Sequence, residues 1–378
     1  MKITLAPKNR GIAVVVALIA VTVLTMLAGT FCYSMKIEAR VAANANNDEQ
    51  MLWMGRGGVE LARWVLAMSA RQPYDSLNQV WAGGPGSGSD TNGPLAGVSL
   101  DNYPIGDGTV SVKIIDMERR VNVNSANPDL LRQILTVQGV DAGTISTVVD
   151  SIEDWIDPDD ATRPAGAESD YYQGQNPPYY AKNAPIDDLS ELMYIKGITM
   201  AMYKGTGGAA YQTGPFQHNK LGLGQRPGEE PNYAFGLEDV LTPFSSGKIN
   251  VNTADANVLG LIPGIDTDSV QNIIKFRAGP DGQEGTDDDT PFINVSQLSA
   301  AGVSPQAMPA INQYCTTRST TFEVHVTAKI GDSQREFVAV LFRNGPNVDT
   351  VEFYWKAQVG ANSVTVQPVQ GLGQQPVQ

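Results

Sequence analysis

The stretch Ile12–Phe31 reads IAVVVALIAVTVLTMLAGTF, twenty residues with no charged side chain. At 1.5 Å rise per residue such a helix spans roughly 30 Å, the thickness of the hydrocarbon core of a bilayer. Lys2, Lys8 and Arg10 precede it, and a basic flank stays on the cytoplasmic side. A secretory signal has a shorter apolar region and a small-residue cleavage site after it. Here the run continues through Met35, Lys36 and Glu38 without a turn residue, which predicts a retained anchor. The helical pattern goes on: Leu52, Gly55, Val59, Ala62 and Leu66 fall three or four apart and form one apolar stripe, with an end expected before Pro73.

Working outward, residues 83–108 are rich in Gly, Ser, Pro, Asn and Asp and read as a loop or linker. Thr109–Ile115 alternates and is rich in β-branched residues, as do Thr321–Ile330, Arg335–Phe342 and Thr350–Gln358, with Gly331, Asp332 and Ser333 as a hairpin turn. The first of these runs has no strand-like neighbour, so the simplest topology pairs it with the C-terminal strands and makes the intervening chain an insertion.

That insertion contains a repeat. Val121–Ala126 is VNVNSA and Ile249–Ala254 is INVNTA. Each precedes a Leu-containing helix, then Gly139-Val140-Asp141 or Gly264-Ile265-Asp266, then a second apolar helix. Two helix-hairpin-helix units are implied. Asn124 with Ser125, and Asn252 with Thr253, are the expected N-caps. A second echo sets Leu189-Ser190-Glu191-Leu192 before Gly197 against Val295-Ser296-Gln297-Leu298 before Gly302. Glycine between apolar residues at such turns can bring backbone amides up to DNA phosphates. The excess of 40 acidic over 26 basic residues opposes that use, so the turns read as architecture and nucleic acid is excluded as a partner.

Two histidines and two cysteines, Cys32 and Cys315, leave little material for imidazole catalysis, a zinc centre or a disulfide framework. The chain is expected not to be an enzyme. Carboxylates, by contrast, cluster in two loops. Asp154, Asp157, Asp159, Asp160, Glu168 and Asp170 fall within seventeen residues around a Pro- and Gly-containing loop; Asp281, Glu284, Asp287, Asp288 and Asp289 fall in a second, glycine-rich one. Hard oxygen donors at irregular spacing suit calcium, one or two ions, although neither loop has EF-hand spacing. The candidate ligands are Asp157, Asp159, Asp160, Glu168 and Asp170 in the first loop and the five acids of the second. Solvated acidic loops are the alternative.

The basic leader ending Arg10-Gly11, followed by an apolar helix that runs on into a long amphipathic one, resembles a type IV prepilin N-terminus. That resemblance implies cleavage between Gly11 and Ile12 by a prepilin peptidase. Most pilins carry Glu at the fifth mature position, whereas here that position is Val16, a departure similar to the K-class minor pseudopilins of type II secretion systems. EARVAANAN (38–46), EDWIDPDD (153–160), GAESDYY (166–172) and SSGKINVNTA (245–254) also resemble that class. The resemblance implies an α+β fold: a transmembrane helix and a pilin-like antiparallel sheet interrupted by a large α-helical domain. Its divisions are a leader at 1–11, the helix at 12–72, a linker and first sheet portion at 73–120, the insertion at 121–315, C-terminal strands at 316–359 and a loose tail at 360–378. It further implies location in the inner membrane with the bulk in the periplasm, and a role capping a short fibre. The implied partners are the I- and J-class minor pseudopilins, met through the Leu52–Leu66 stripe, and the major pseudopilin. A minor pilin of a type IV pilus or DNA-uptake machine is the alternative.

Overall fold

The computed structural model describes residues 10–86, 93–205, 233–331 and 333–356. The leader before Arg10, Asp332 of the expected hairpin turn, the end of the last expected strand and the 360–378 tail lie outside the described residues.

Helix α1 (Arg10–Ser69) is a single element of 60 residues that stops four short of Pro73. Its segment Val14–Ala39 has a mean hydropathy of 2.5, packs against nothing, and is long and apolar enough to cross a membrane. The C-terminal part lies across a five-stranded antiparallel sheet built from β1 (Tyr103–Ile105), β2 (Gly108–Asp116), β7 (Thr321–Ile330), β8 (Ser333–Asn344) and β9 (Asn347–Lys356), in the order β1-β2-β7-β8-β9. As the orphan-strand argument predicts, β2 pairs with β7, with Val112 opposite Val326. Period-2 alternation does the rest: Val110, Val112, Ile114, Phe322, Val324, Val326 and Ala328 all turn to the helix and are buried.

Contact with α1 is close because of two glycines. A Cβ on Gly55 would come within 2.5 Å of the Phe337 ring, and one on Gly58 within 2.4 Å of Val326. This corrects the expected role of the stripe. Gly55, Val59, Ala62 and Leu66 are buried against the chain's own sheet and are not available to a partner. The free face of the helix carries Trp53, with the Arg56 guanidinium 4.9 Å from its ring, and Trp64. The 83–108 stretch is also more than a linker: it contains β1 and contributes Leu95 and Leu100 to this core.

Between β2 and β7 the chain forms a second core. In order come β3 (Val121–Asn122), α2 (Pro128–Gln138), α3 (Ala142–Ile156), α4 (Ser169–Tyr172), α5 (Met200–Lys204), α6 (Leu237–Val240), β4 (Leu241–Thr242), β5 (Ile249–Asn250), α7 (Ala256–Leu259), α8 (Thr267–Arg277), α9 (Met308–Tyr314) and β6 (Cys315–Thr316). Two-residue parallel pairings, β3 with β4 and β5 with β6, hold the entry and exit of this body together. It joins the sheet at the end where α1 finishes: the Asp75 N–H donates to the Thr317 carbonyl at 2.9 Å, and Arg318 donates to the carbonyl of Ala70 at 2.6 Å.

Candidate metal centre

The repeat supplies the scaffold for both acidic loops. Asn124 and Asn252 do not cap the helices that follow; Asn127 and Asp255 do, accepting from the N–H groups of Leu130 and Val258. The side chains of Asn124 and Asn252 instead reach far along the chain. Asn124 accepts from the Ile186 N–H at 2.7 Å and donates to the Ile186 carbonyl at 2.9 Å. Asn252 does the same at Phe292, at 2.8 and 2.9 Å. Each pinned residue then leads into a 3₁₀ segment, Leu189–Tyr194 or Val295–Ser299. Glu191 and Gln297 take equivalent places there, each accepting from two backbone N–H groups just ahead of it. Gly139, Gly197, Gly264 and Gly302 all have φ between 78° and 94°, which explains glycine at the turns. Each acidic loop therefore spans the same interval: it leaves the second helix of its unit and returns to the pinned backbone of Ile186 or Phe292.

In the first loop the carboxylates converge. Asp154, fully buried in the last turn of α3, accepts from the Arg163 N–H at 3.3 and 3.2 Å and from its guanidinium at 2.8 Å. Arg163 also reaches Glu153 at 2.9 Å and Asp157, so it folds the loop back on the helix that precedes it. Gly166 is required beneath this turn, since a Cβ there would lie 2.0 Å from Asp154 Oδ2. Across the loop, Asn183 donates to the Asp159 carbonyl at 3.1 Å and to Asp160 at 2.9 Å. Glu168 is 3% exposed, and neither of its carboxylate oxygens has a hydrogen-bond partner; Asp157 Oδ1 and Asn183 Oδ1 are likewise buried and unpartnered. Burial, then Asp154, Asp157, Asp160 and Asp159 in turn, push the Glu168 carboxyl up to about 7. Asp170 sits exposed on α4.

The second loop satisfies itself. Asp281 accepts from the Gln283 N–H at 2.7 Å, and Asp288 from the Asp281 N–H at 3.0 Å and the Thr286 hydroxyl at 2.7 Å. Asp289 accepts from the Gly285 N–H at 2.8 Å. The Thr286 hydroxyl and the Asp281 N–H hold Asp288 below the usual carboxylate range, while burial raises Asp289. Glu284 pairs with the buried Arg277, which also donates to the Val251 carbonyl at 2.6 Å, and Asp287 points to solvent.

Among the described residues, no three His, Cys, Asp or Glu side chains stand close enough to form a ready metal cage. The first loop nonetheless holds four buried oxygens without donors, from Asp157, Glu168 and Asn183, the ligand type that calcium takes. Nothing comparable remains free in the second. Inspection of acidic residues alone missed Asn183, Arg163 and Arg277; the only local signal was an arginine inside or bordering each acid-rich loop.

Residues 111–206, from β2 through both helices of the first unit and its acidic loop, match the family described as "Type II secretion system (T2SS), protein K". The type II secretion system protein K of Pseudomonas aeruginosa is 25% identical over 352 residues, which cover 89% of each chain. Over most of its length, then, the chain is similar to type II secretion system protein K. A putative protein K of Escherichia coli K12 is 27% identical over 217 residues, 52% of this chain and 60% of that one. In fold, the chain is similar to one in the crystal structure of the GspK-GspI-GspJ complex from enterotoxigenic Escherichia coli. The TM-score is 0.60 at 16% identity, covering 83% of this chain and 99% of that one. These likenesses and the apolar segment Val14–Ala39 fit a type II secretion minor pseudopilin with a single-pass N-terminal anchor.

Proposed function

We propose that the chain caps the tip of a periplasmic pseudopilus as a structural, non-catalytic subunit. The observation that carries this reading is the place of the inserted body. It joins the sheet where α1 ends, through Asp75 to Thr317 and Arg318 to Ala70, on the side away from the membrane-spanning segment. A subunit stacked along the same axis would meet that body first. Val16 agrees with an end position, since a subunit with no neighbour above it has no buried amine to neutralise. The complex named for GspK, GspI and GspJ supports the I- and J-class minor pseudopilins as partners; the major pseudopilin below and the inner membrane as the anchor's site complete the proposal. Imaging of assembled fibres carrying a label in the inserted body tests the reading: one label per fibre, at one end, is expected, and label along the shaft overturns it.

Prepilin peptidase is expected to cut between Gly11 and Ile12, both in the first turn of the helix as described. N-terminal sequencing of the membrane-extracted protein should begin at Ile12, and Gly11→Leu should leave the leader in place.

Calcium is proposed for the first loop, held by Asp157, Glu168 and Asn183 with Asp159 and Asp160 beside them. It would add positive charge to a carboxylate group that, among the described residues, has only Arg163 to offset it. Asp170 and the second-loop set Asp281, Glu284, Asp287, Asp288 and Asp289 are left out of the proposed site. Calorimetric titration of the full chain with calcium should give one site, abolished by Glu168→Gln; absence of binding would return the loop to a purely structural role.

A further inference from the structure

Where the sheet meets the inserted body, four charged side chains are out of water together. Asp75 follows α1, Asp116 ends β2, Glu118 follows it, and Arg343 comes from β8; none is more than 2% exposed. Asn250 and Thr253 of the second repeat unit and Ser319, two residues before β7, complete the group. Arg343 pairs with Asp75 and donates to the Ser319 carbonyl at 2.6 Å. Glu118 accepts from the N–H groups of Ser246 at 3.0 Å and Thr321 at 3.1 Å and from the Thr320 hydroxyl at 2.8 Å. Asp116 Oδ1 accepts from the Glu118 N–H at 2.8 Å. Its Oδ2 lies 2.5 Å from the Thr253 hydroxyl, 2.6 Å from that of Ser319 and 3.1 Å from the Asn250 amide.

Three carboxylates face one guanidinium. If all three were ionised, the seam would bury two uncompensated negative charges, and a buried group in that position takes up a proton instead. Geometry selects which. Asp75 has the arginine. Glu118 accepts from two backbone N–H groups, which can only donate, and from a single hydroxyl, that of Thr320. Asp116 Oδ2 faces two hydroxyls, and a hydroxyl can turn to accept. We infer that Asp116 holds a proton at neutral pH, donated to Thr253 or Ser319, and that the seam between sheet and inserted body is a proton-linked lock whose opening at neutral pH releases this proton. The titratable and charged groups facing Asp116 are Glu118, Asp75 and, through Asp75, Arg343. Burial first, then Glu118, pushes the Asp116 carboxyl up to about 8, in agreement with the charge count.

The direction follows from linkage. Once the seam opens, Asp116 meets water and titrates near 3.8, its ordinary value. Between about pH 4 and 8 each opening therefore releases one proton, and the opening constant rises about tenfold per pH unit, then levels off above 8. Hydrogen exchange on the full chain in detergent micelles tests this through the amides of Ser246, Ser319 and Thr321. Protection factors, which divide out the intrinsic pH dependence of exchange, are followed from pH 5.5 to 9 with β7–β8 ladder amides as reference. The expected result is a tenfold fall per unit up to about pH 8, confined to the seam, and a flat profile in Asp116→Asn. A flat wild-type profile overturns the inference, and so does an unchanged slope in the variant. Should Asp116→Asn fail to fold, the wild-type slope and its levelling point decide alone.

Discussion

The two repeat units share a skeleton and differ in what their acidic loops do with their charge. In both, an asparagine two residues beyond a short strand reaches a backbone pair before a 3₁₀ segment, and a helix pair joined at a positive-φ glycine fills the interval. The first loop then leaves Glu168, Asp157 and Asn183 oxygens buried without donors, whereas the second spends its aspartates on its own N–H groups and on Thr286. Two loops of similar acidity on one scaffold therefore differ in polar satisfaction: one copy keeps buried oxygens without donors, and the other is a self-capped turn. What separates them is the supply of donors; the number of carboxylates does not.

The largest effect should come from breaking the skeleton. Asn252→Ala strands the N–H and carbonyl of the fully buried Phe292, at a cost of about 2–4 kcal/mol. Asn124→Ala should cost ~1–2 kcal/mol although it removes one more hydrogen bond, to Pro243, because Asn124 is only half-buried and water can replace the lost partner. Urea unfolding of the two variants measures the difference; equal losses would mean that the exposure of Asn124 does not let water replace its partners.

Cation binding should come next. At calcium 100 times its dissociation constant the native state gains roughly 2.7 kcal/mol per site by mass action. Thermal unfolding in EDTA and in millimolar calcium should differ for the wild type and for Asp288→Asn, and coincide for Glu168→Gln. A response lost in Asp288→Asn and kept in Glu168→Gln would reverse the assignment of the two loops.

How far the sequence reaches can be seen element by element. The anchor was legible from its uncharged apolar run, and the long helix and β2, β7, β8 and β9 from a clean period, whereas the two-residue strands β3 to β6 are too short to carry one; the pairing of β2 with β7 followed from a strand left without a neighbour. β1 was missed because three residues, Tyr103–Ile105, carry no period in a Gly-, Ser- and Asp-rich stretch. The Leu52–Leu66 stripe was correctly apolar, but periodicity says which face is covered and not by what; Gly55 and Gly58 set it against Phe337 and Val326 of the same chain. Asn124 and Asn252 looked like caps because local rules favour them there, and long-range bonds to Ile186 and Phe292 took precedence. In the first loop the acids were visible, while Asn183, thirteen or more residues further on, was not. The Asp75–Asp116–Glu118–Arg343 seam draws on three segments far apart in the chain and had no local signature at all.

The smallest effect, and the sharpest for the comparison, is the sign of the pH dependence in each loop without calcium. Glu168 titrates at about 7 when folded, above its ordinary 4.5, so the folded state keeps a proton that the unfolded chain gives up. Its contribution is fully present below about pH 4.5 and is lost as pH rises toward 7, by at most about 2 kcal/mol, since the neighbouring Asp159 and Asp160 lie in solvent and are screened. Asp288 is shifted the other way, by the Thr286 hydroxyl and the Asp281 N–H. Its contribution is present above its ordinary 3.8 and is lost as pH falls through the depressed folded value. Glu168→Gln should therefore flatten the stability profile between pH 4.5 and 7 and leave the acid limb alone, while Asp288→Asn should change only the acid limb. Unfolding midpoints from pH 3 to 8 in EDTA read both limbs in one series. Calcium added to the wild type should reproduce the Glu168→Gln profile near neutrality, because a bound cation removes the reason for the proton to stay.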